Sequence, residues 1–285
     1  MRAIAVGSPI SPADPVIDIE QQFLQDGFLV CRNFFTKIEM DTLLQEIKIA
    51  GELIREADGN DSNKVFLYHN LYRRSAQIQK FCSQPRIVEI LCRLIGPSVW
   101  MHWDHAIEKG SGGESFPYHQ DNAYSELKNG GVQLWLAVSD SKEQHGGLTF
   151  QRGSHKKGLL PHRQVGKYRV CDEKVGEEVP LSCSAGDAVF FSPYTLHYSQ
   201  PNVSTDKRWV YVLEYMSRKH DNPAIPSPRF AIADQGKSRP RFVRTFRNRL
   251  NPLNRLRSYR DLKIGERIRG SIDQVRSFVG YHSGA

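Results

Sequence analysis

Two histidines and one aspartate in this sequence have the residue types and spacing of a transition-metal site. His119 and Asp121 are separated by one residue, and in an extended chain such residues point to the same face. His197 follows an apolar run far along the chain, so a distant strand could supply a second imidazole. Two imidazoles and one carboxylate leave three open positions on an iron ion, as in non-haem iron oxygenases. Two of these positions suit a chelating 2-oxoacid, and the third suits O2.

Arg208 is placed where it could complete such a site. It follows His197 by eleven residues, and the intervening residues 200–207 have the composition of a turn. We therefore expect Arg208 to begin the next strand and to return toward the metal. A planar guanidinium can hold the distal carboxylate of 2-oxoglutarate through two parallel hydrogen bonds. The alternative is a structural ion pair between Arg208 and either Asp206 or Asp187.

The region that carries these residues has the pattern of an all-β domain. After Pro97, short apolar runs are separated by Gly, Pro, Asn and Asp, with no helical pattern between them. This pattern favours a sandwich or barrel over a doubly wound parallel sheet. The expected strands are residues 99–108, 132–139, 148–151, 179–183, 188–193, 195–199 and 208–216.

Helical patterns occupy the region before Pro97. Thr36 and Glu39 form a capping-box pattern that opens a helix, and Pro85 is placed to begin another. The expected helices are residues 17–26, 36–56 and 86–95, and the expected strands between them are residues 27–35 and 65–72. The predicted fold class is therefore an all-β core with flanking helices.

The order of short motifs along the chain resembles the phytanoyl-CoA dioxygenase family of iron(II)- and 2-oxoglutarate-dependent oxygenases. Each motif is short, but the ordered set is specific, and it covers roughly residues 17–217. The matching residues are Asp26–Val30, His119–Asp121, Trp135, Gly146–Leu148, Gly153–His155, Ala185–Asp187, Phe191, His197–Ser199, Asn202 and Arg208. The sequence departs from the family at two turn positions, His145 and Arg152, where the family usually has Asn and Pro.

The resemblance implies a double-stranded β-helix, that is, a cupin-like jelly roll, with iron(II) on His119, Asp121 and His197. It also implies a set of residues around 2-oxoglutarate, namely Gln120, Trp135, Ser199 and Arg208, with His105 and Tyr68 as further contacts. The implied activity is oxidation, chiefly hydroxylation, of an unactivated C–H bond, with succinate and CO2 as co-products. The substrate would be a small metabolite or an acyl group carried by a carrier protein or coenzyme A.

A second His-x-Asp pair, His102 and Asp104, competes with the predicted one. Alternation along a strand puts Trp103, His105 and Ile107 on one face and the competing pair on the other. If His105 faces the site, as the resemblance implies, then His102 and Asp104 face away from it.

The composition fits one globular domain with extensions. The 285 residues are 39% hydrophobic and 25% charged, and no apolar run approaches the ~18 residues of a membrane span. Five cysteines without CxxC spacing favour a reducing compartment, and the expected location is the cytoplasm. We expect a flexible N-terminal arm at residues 1–16, a jelly-roll oxygenase domain at residues 17–217, and a basic, mostly helical extension at residues 218–285.

The formal net charge of +8 is concentrated near the C-terminus. Between Lys237 and Arg269 there are twelve Lys or Arg residues but only two acidic residues. Such a tail is either simply solvated or a docking site for an anionic partner, such as a carrier protein, a coenzyme A ester, nucleic acid or an anionic membrane. Two other functions stay open: a nucleic-acid-modifying oxygenase, which is disfavoured, and a non-catalytic or differently metallated cupin-like binding protein.

Overall fold

The computed structural model describes residues 19–58, 64–125, 131–220 and 228–243. The predicted N-terminal arm and residues 244–285 of the basic extension lie outside the described residues. The chain divides into two compact units. The first contains Met1–Pro226 and Phe230–Phe242, and the second contains Ser227–Arg229 and Val243–Ala285, of which almost all is outside the described residues. The fold below is that of the first unit.

Four helices precede the main strands, and local sequence signals account for their starts and ends. The Thr36 amide donates to Glu39 Oε2 over 2.9 Å, and the Glu39 amide donates to Thr36 Oγ1 over 3.3 Å, which is the expected capping box. Another helix begins at Pro85 and ends at Gly96, whose φ is +95°. The helices are α1 (Ile19–Asp26), α2 (Lys37–Asp58), α3 (Ala76–Cys82), α4 (Pro85–Ile95) and the short α5 (Asn122–Ser125) after the fourth strand.

Fourteen strands are present among the described residues. The first seven are β1 (Phe28–Cys31), β2 (Val65–His69), β3 (Val99–Lys109), β4 (Phe116–His119), β5 (Gly131–Ala137), β6 (Leu148–Gln151) and β7 (Arg163–Val165). The others are β8 (Tyr168–Val170), β9 (Glu178–Leu181), β10 (Ala188–Phe191), β11 (His197–Ser199), β12 (Arg208–Ser217), β13 (Arg229–Asp234) and β14 (Lys237–Val243).

Two antiparallel sheets form the core of the domain. The larger sheet has the strand order β1-β10-β5-β12-β3-β13-β14, with β2 also paired to β3. The smaller sheet has the order β4-β11-β6-β9, and β7 pairs with β8 in a separate hairpin. Neighbours within each sheet come from distant parts of the chain, as in a jelly roll. The predicted double-stranded β-helix is therefore confirmed.

Two apolar clusters define the layers. One cluster lies between the helices α1–α4 and the outer face of the larger sheet. It includes Met40, Leu91 and Leu213. The other contains residues from both sheets, such as Trp135 from the larger and Phe150 from the smaller. We call the space lined by this second cluster the interior. The central strands β10, β5 and β12 of the larger sheet are buried on both faces, because helices cover one face and the smaller sheet covers the other.

The described part of the C-terminal extension differs from the expected helix. Residues 229–243 form the β13–β14 hairpin, and β13 pairs with β3 in the larger sheet. Gln235 and Gly236 have φ values of +50° and +78°, which suits the two-residue turn of a hairpin. The jelly roll therefore continues past the expected boundary at residue 217. Among the residues that the structure describes, no helix has the length and apolar character that crossing a membrane requires.

Candidate metal centre

Strand pairing brings the two predicted histidine ligands together. His119 ends β4, His197 begins β11, and the two residues are direct partners across this antiparallel pair. Side chains of such partners share a face and lie close to each other. The centroids of the two imidazole rings are 4.3 Å apart.

Asp121 completes the cluster from the turn after β4. Its Oδ1 lies 3.5 Å from His119 Nε2 and 3.9 Å from His197 Nε2. One donor atom from each of the three residues lies within 4.8 Å of the others. Metal bonds of about 2 Å place neighbouring ligand atoms roughly 3 Å apart, so a small closure of the cluster would accommodate one transition-metal ion. The donor set, two imidazoles and one carboxylate, fits iron(II).

Backbone carbonyls fix the orientation of both imidazoles. His119 Nδ1 lies 2.7 Å from the Pro117 carbonyl oxygen, and His197 Nδ1 lies 2.9 Å from that of Thr195. A carbonyl oxygen can only accept, so each Nδ1 carries the proton. Each Nε2 then keeps its lone pair on the side of Asp121, which is the tautomer that metal ligation requires.

The pKa shifts agree with that arrangement. Burial, followed by the nearby His119, lowers the pKa of His197 to about 4. For Asp121, burial opposes ionisation, but His197 and His119 outweigh it and the pKa of the carboxyl is lowered. A neutral His197 beside an ionised carboxylate is the state from which these side chains can bind a metal ion.

Arg208 is the first residue of β12 and is only 1% exposed. Its Nη1 donates to the Gly146 carbonyl oxygen over 2.8 Å, while its buried Nε has no hydrogen-bond partner. Burial lowers the pKa of Arg208 to about 10, so it remains a cation at neutral pH. Asp187, one alternative partner, instead accepts from Arg32 over 2.8 Å. Within the described ranges no carboxylate pairs with Arg208, and its free donor suits a carboxylate of a bound ligand.

Ser199 and Trp135 also lie on the interior. Ser199 is two residues past His197 on β11, so its side chain shares the face of that imidazole. Trp135 on β5 is a member of the interior cluster and stands opposite Val212 of β12. Both residues therefore lie in the interior, which the metal ligands approach from the smaller sheet and Arg208 from the larger sheet.

Tyr68 does not face the interior. Its hydroxyl donates to Glu108 Oε2 over 2.8 Å, and its ring stacks on Trp209 at a centroid distance of 5.6 Å. It belongs to the outer cluster under the helices. The neighbouring Leu67 and His69 occupy the interior side of β2 instead, because successive side chains of a strand alternate between faces. The structure therefore does not support the expected contact of Tyr68 with the cosubstrate.

Gln120 is also turned away, although it lies between two predicted ligands. Its Nε2 donates to the carbonyl oxygens of Gly158 and Tyr194 over 2.9 and 2.6 Å, and its Oε1 accepts from the Leu160 amide over 2.7 Å. Both amide hydrogens are thus used by main-chain acceptors. The Gln120 side chain thus links the loop after β6 to the segment before β11. The structure does not support its expected contact with the cosubstrate.

His105 reaches the interior as expected. Its ring stacks on Trp103 at 4.6 Å between centroids and meets His69 edge to face at 5.5 Å. Burial, then His69, lowers the pKa of His105 to about 3, and the charges of Asp121 and His119 also act on it. His105 therefore lies close enough to the metal cluster to interact with it electrostatically.

Of the competing pair, Asp104 faces the helix side of β3 and His102 does not. His102 Nδ1 lies 2.5 Å from Glu214 Oε2, and Asp104 accepts from the Tyr72 amide over 2.9 Å and from the Tyr211 hydroxyl. Burial raises the pKa of Asp104 to about 7. Asp104 therefore serves the packing between the sheet and the helices, as expected. His102 lies at a β-bulge of β3, and its partner Glu214 shares the interior face of β12 with Val210 and Val212, so the expectation that His102 faces away is wrong.

Two residues of the interior were absent from the predicted site, Lys109 and His69. Lys109 is fully buried and stands directly opposite Arg208. The sequence feature that could have identified Lys109 is the alternation of Trp103, His105 and Ile107, which continues to residue 109. It was missed because the expected strand ended at residue 108. His69 stands directly opposite His105, and the pairing of β2 with β3 was not visible in the sequence.

Comparison with known proteins decides the family. A sequence model described as Phytanoyl-CoA dioxygenase (PhyH) matches residues 23–210. The chain belongs to this family. The match includes every residue of the predicted site, and the resemblance seen in the ordered motifs is confirmed.

Individual members of the phytanoyl-CoA dioxygenase family and its fold relatives are only distantly similar. Ectoine dioxygenase of Bordetella parapertussis is 25% identical over 237 residues, covering 71% of this chain and 76% of the relative. L-proline trans-4-hydroxylase of Streptomyces griseoviridis is 24% identical over 255 residues, covering 79% and 95%. The structure of EvdO2 from Micromonospora carbonacea var. aurantiaca, complexed with 2-oxoglutarate, aligns with a TM-score of 0.61 at 20% identity, covering 76% and 96%. This likeness supports the jelly-roll fold.

Proposed function

We propose that the protein is an iron(II)- and 2-oxoglutarate-dependent dioxygenase. It hydroxylates, or otherwise oxidises, an unactivated C–H bond of a small metabolite or of an acyl group on a carrier protein or coenzyme A. Succinate and CO2 are the co-products. One observation carries the proposal: two imidazoles and a carboxylate converge within 4.8 Å in a domain that also buries Arg208 without a carboxylate partner among the described residues.

Different residues are proposed to bind the metal and the oxoacid. His119, Asp121 and His197 would hold the iron through two imidazoles and one carboxylate. Arg208 grips the distal carboxylate of 2-oxoglutarate, and Ser199 offers its hydroxyl nearby. The iron, when bound, supplies the activation of O2 and the oxidative decarboxylation of the oxoacid. The protein orients both reactants and excludes water, which limits side reactions.

The substrate is proposed to bind against the ring group of His69, Trp103 and His105. These rings pack on one another in the interior, and burial lowers the pKa of His105, on which Asp121 also acts, so His105 is neutral and the group offers stacking and neutral hydrogen bonds. The names of the relatives, ectoine dioxygenase and L-proline trans-4-hydroxylase, favour a small metabolite. The family description, phytanoyl-CoA dioxygenase, keeps an acyl-coenzyme A substrate in the test panel.

Anaerobic titration tests the proposed function. Addition of iron(II) and then 2-oxoglutarate is expected to produce a visible absorption band from chelation of the metal by the oxoacid. Succinate release in air, measured over a panel of amino acids, other small metabolites and acyl-coenzyme A esters, then identifies the substrate class by stimulation. Absence of the band would favour the non-catalytic or differently metallated binding protein. Steeply salt-dependent binding of oligonucleotides would favour the nucleic-acid-modifying oxygenase.

A cytoplasmic location is proposed as well. All five cysteines are free, and four of them are buried, which suits a reducing compartment. Fractionation of the source cells tests this location. Docking of an anionic partner to the basic extension stays a prediction, because residues 244–285 lie outside the described residues.

A further inference from the structure

A β-bulge in β3 brings one additional polar side chain to the interior. Glu214 of β12 pairs with Trp103 of β3. The next pair is Tyr215 with Met101, so His102 is an extra residue on β3. A bulge sets two residues against one and redirects a side chain, and bulges are frequent next to active sites. His102 and Trp103 therefore both stand against Glu214, although strict alternation would put them on opposite faces.

Glu214 is fully buried and is held by two side chains. Its Oε1 accepts from Gln133 Nε2 over 2.8 Å, and its Oε2 lies 2.5 Å from His102 Nδ1. Gln133 and Glu214 face the interior because they alternate with Trp135 and Val212, which belong to the interior cluster. An ionised carboxylate only accepts hydrogen bonds, so His102 Nδ1 carries the proton and Nε2 points away from Glu214.

The cluster that these side chains form, which we call the bulge site, has unused hydrogen-bond acceptors. It contains His102, Trp103, Gln133 and Glu214. Gln133 Oε1 is buried and has no hydrogen-bond partner in the described part of the chain. His102 Nε2 likewise forms no hydrogen bond with a described residue, and in a neutral imidazole it is an acceptor. A buried carboxylate is costly unless a cation compensates it. The bulge site therefore favours a ligand group that brings N–H donors and a positive charge.

Trp103 adds an aromatic ring to the bulge site. It is partly exposed and stacks on His105 at a centroid distance of 4.6 Å. Indole is the side chain that attracts cations best through its ring face. His102 is partly exposed as well, so a ligand can reach both rings, whereas Glu214 is fully enclosed.

The bulge site and Arg208 lie at opposite ends of the interior. Arg208 and Glu214 are six residues apart on β12, which corresponds to roughly 20 Å. Val212 lies between them and pairs with His105, whose ring interacts electrostatically with Asp121 of the metal cluster. The oxoacid is proposed to extend from the metal toward Arg208. A substrate on the other side of the metal therefore lies on the side of the bulge site.

We propose that the bulge site binds an ammonium group of the substrate. The ammonium donates to His102 Nε2 and lies against the Trp103 ring, while Glu214 orients His102 and supplies the compensating negative charge. The substrate is then a small amine or amino acid, and the position of its amino group sets which C–H bond is presented to the metal. The inference rests on the proposed function and names the substrate class for it.

Two ring compounds of the same size test the proposed ammonium site without any variant. Piperidine is protonated at pH 7.5, whereas tetrahydropyran has an ether oxygen in place of the protonated nitrogen. Saturation-transfer NMR measures the binding of each to the protein loaded anaerobically with iron(II) and 2-oxoglutarate. Piperidinium is expected to bind at least about tenfold more tightly, as for gain of a charged hydrogen bond.

Equal binding of the two compounds, or no binding of piperidinium, would overturn the inference. Tighter binding of the anion cyclohexanecarboxylate would overturn it as well, because it would show that His102 is protonated and that the bulge site selects anions. The wild-type absorption band with iron(II) and 2-oxoglutarate tests the proposed function separately. A normal band without a preference for piperidinium would therefore remove only the substrate class.

Glu214→Gln ties the preference to the bulge site. The amide keeps an acceptor for His102 but removes the charge, so the preference for piperidinium over tetrahydropyran should fall about tenfold or more. The oxoacid absorption band verifies that the variant is folded and loaded. Glu108→Gln is the matched control, because this buried carboxylate accepts from Tyr68 and Lys207 instead, and it should keep the wild-type preference. An unchanged preference in Glu214→Gln would mean that Glu214 is purely structural and would overturn the inference.

Discussion

At the metal centre, each imidazole is held by a main-chain carbonyl two residues before it in the chain. The carbonyls of Pro117 and Thr195 orient His119 and His197, so the geometry depends on the backbone and not on further side chains. Such second contacts raise ligand basicity and fix the ring orientation. Substitution of a ligand should therefore remove metal binding while the surrounding strands persist.

His119→Ala and Asp121→Ala are each expected to reduce iron affinity by on the order of 100-fold or more, since even second contacts contribute 10- to 100-fold. The measurement is bound iron after anaerobic loading and desalting, with circular dichroism to verify folding. His220→Ala, at an exposed position, is the matched control and should retain its iron. Variants that kept full iron and full 2-oxoglutarate turnover would remove the site from these residues.

Arg208→Ala is expected to retain iron and to lose affinity for 2-oxoglutarate. Removing one partner of a buried charged pair costs about 2–5 kcal/mol, and about 3 kcal/mol corresponds to a factor of roughly 10² in Kd. Anaerobic titration of the iron(II)-loaded variant, followed by the oxoacid absorption band, measures this. An unchanged Kd would show that another group holds the distal carboxylate.

The sequence predicted the metal cluster well but only part of its surroundings. The spacing of His119 and Asp121 is local, and a strand that returns to the same face could supply His197. Gln120 and Tyr68 were placed by family position, which does not tell which side of the strand a residue faces. Lys109 was missed because the end of β3 was drawn one residue too early.

At the scale of elements, the turn before β10 depends on Gly186. Its φ is +96°, its carbonyl oxygen accepts from the Phe35 amide over 2.9 Å, and an added Cβ would lie 2.1 Å from the Phe35 carbonyl oxygen. No L side chain fits there without moving the segment between β1 and α2. The close approach positions β10 beside β1 and β5 in the larger sheet.

Gly186→Ala is expected to destabilise the domain by about 3 kcal/mol or more, combining left-handed backbone strain with a main-chain clash. Gly166→Ala is a matched control, because Gly166 also has a positive φ, +54°, and nothing lies within 4 Å of its added Cβ. The control should lose only about 1–2 kcal/mol. Urea unfolding followed by circular dichroism measures both, and equal losses would show that the clash is relieved at little cost.

Helices α2 and α4, which have clear end signals, were predicted from sequence, whereas α3 and the β13–β14 hairpin were not. The capping box at Thr36 and the Pro85 to Gly96 signals gave α2 and α4. Residues 229–243 fall in the extension that was expected to be mostly helical. Their alternating Phe230 and Ile232 and the Gln235-Gly236 turn instead specify a hairpin.

At the scale of the whole molecule, the β13–β14 hairpin extends the described domain past residue 217. Phe230 and Ile232 are 1% and 0% exposed and belong to the outer cluster. Burial of each side chain contributes about 1.5–3 kcal/mol. The family match ends at residue 210, so this contribution comes from a part of the chain that the family pattern does not cover.

Truncation tests how much the β13–β14 hairpin contributes to stability. A chain ending at residue 217 is expected to melt at a temperature lower by at least ~10 °C, or to fail to fold cooperatively, because loss of several kcal/mol is large for a single domain. A chain ending at residue 243 should retain both its melting transition and iron-dependent 2-oxoglutarate binding. Similar melting curves for the two truncations would show that the hairpin adds nothing to the core.

Because His119 and His197 are direct partners across β4 and β11, metal binding depends on the pairing of these two strands. We call this pairing the seam. Since β4 has only four residues, all partly exposed, this seam should be among the first to open in native fluctuations. An ion held by both rings disfavours that opening, and a free-ion concentration of 100 times Kd should reduce the open population about 100-fold. Deuterium uptake at the amides of β4 and β11, compared with and without bound nickel(II), would reveal it. Identical protection in both states would mean that the seam opens without releasing the ion.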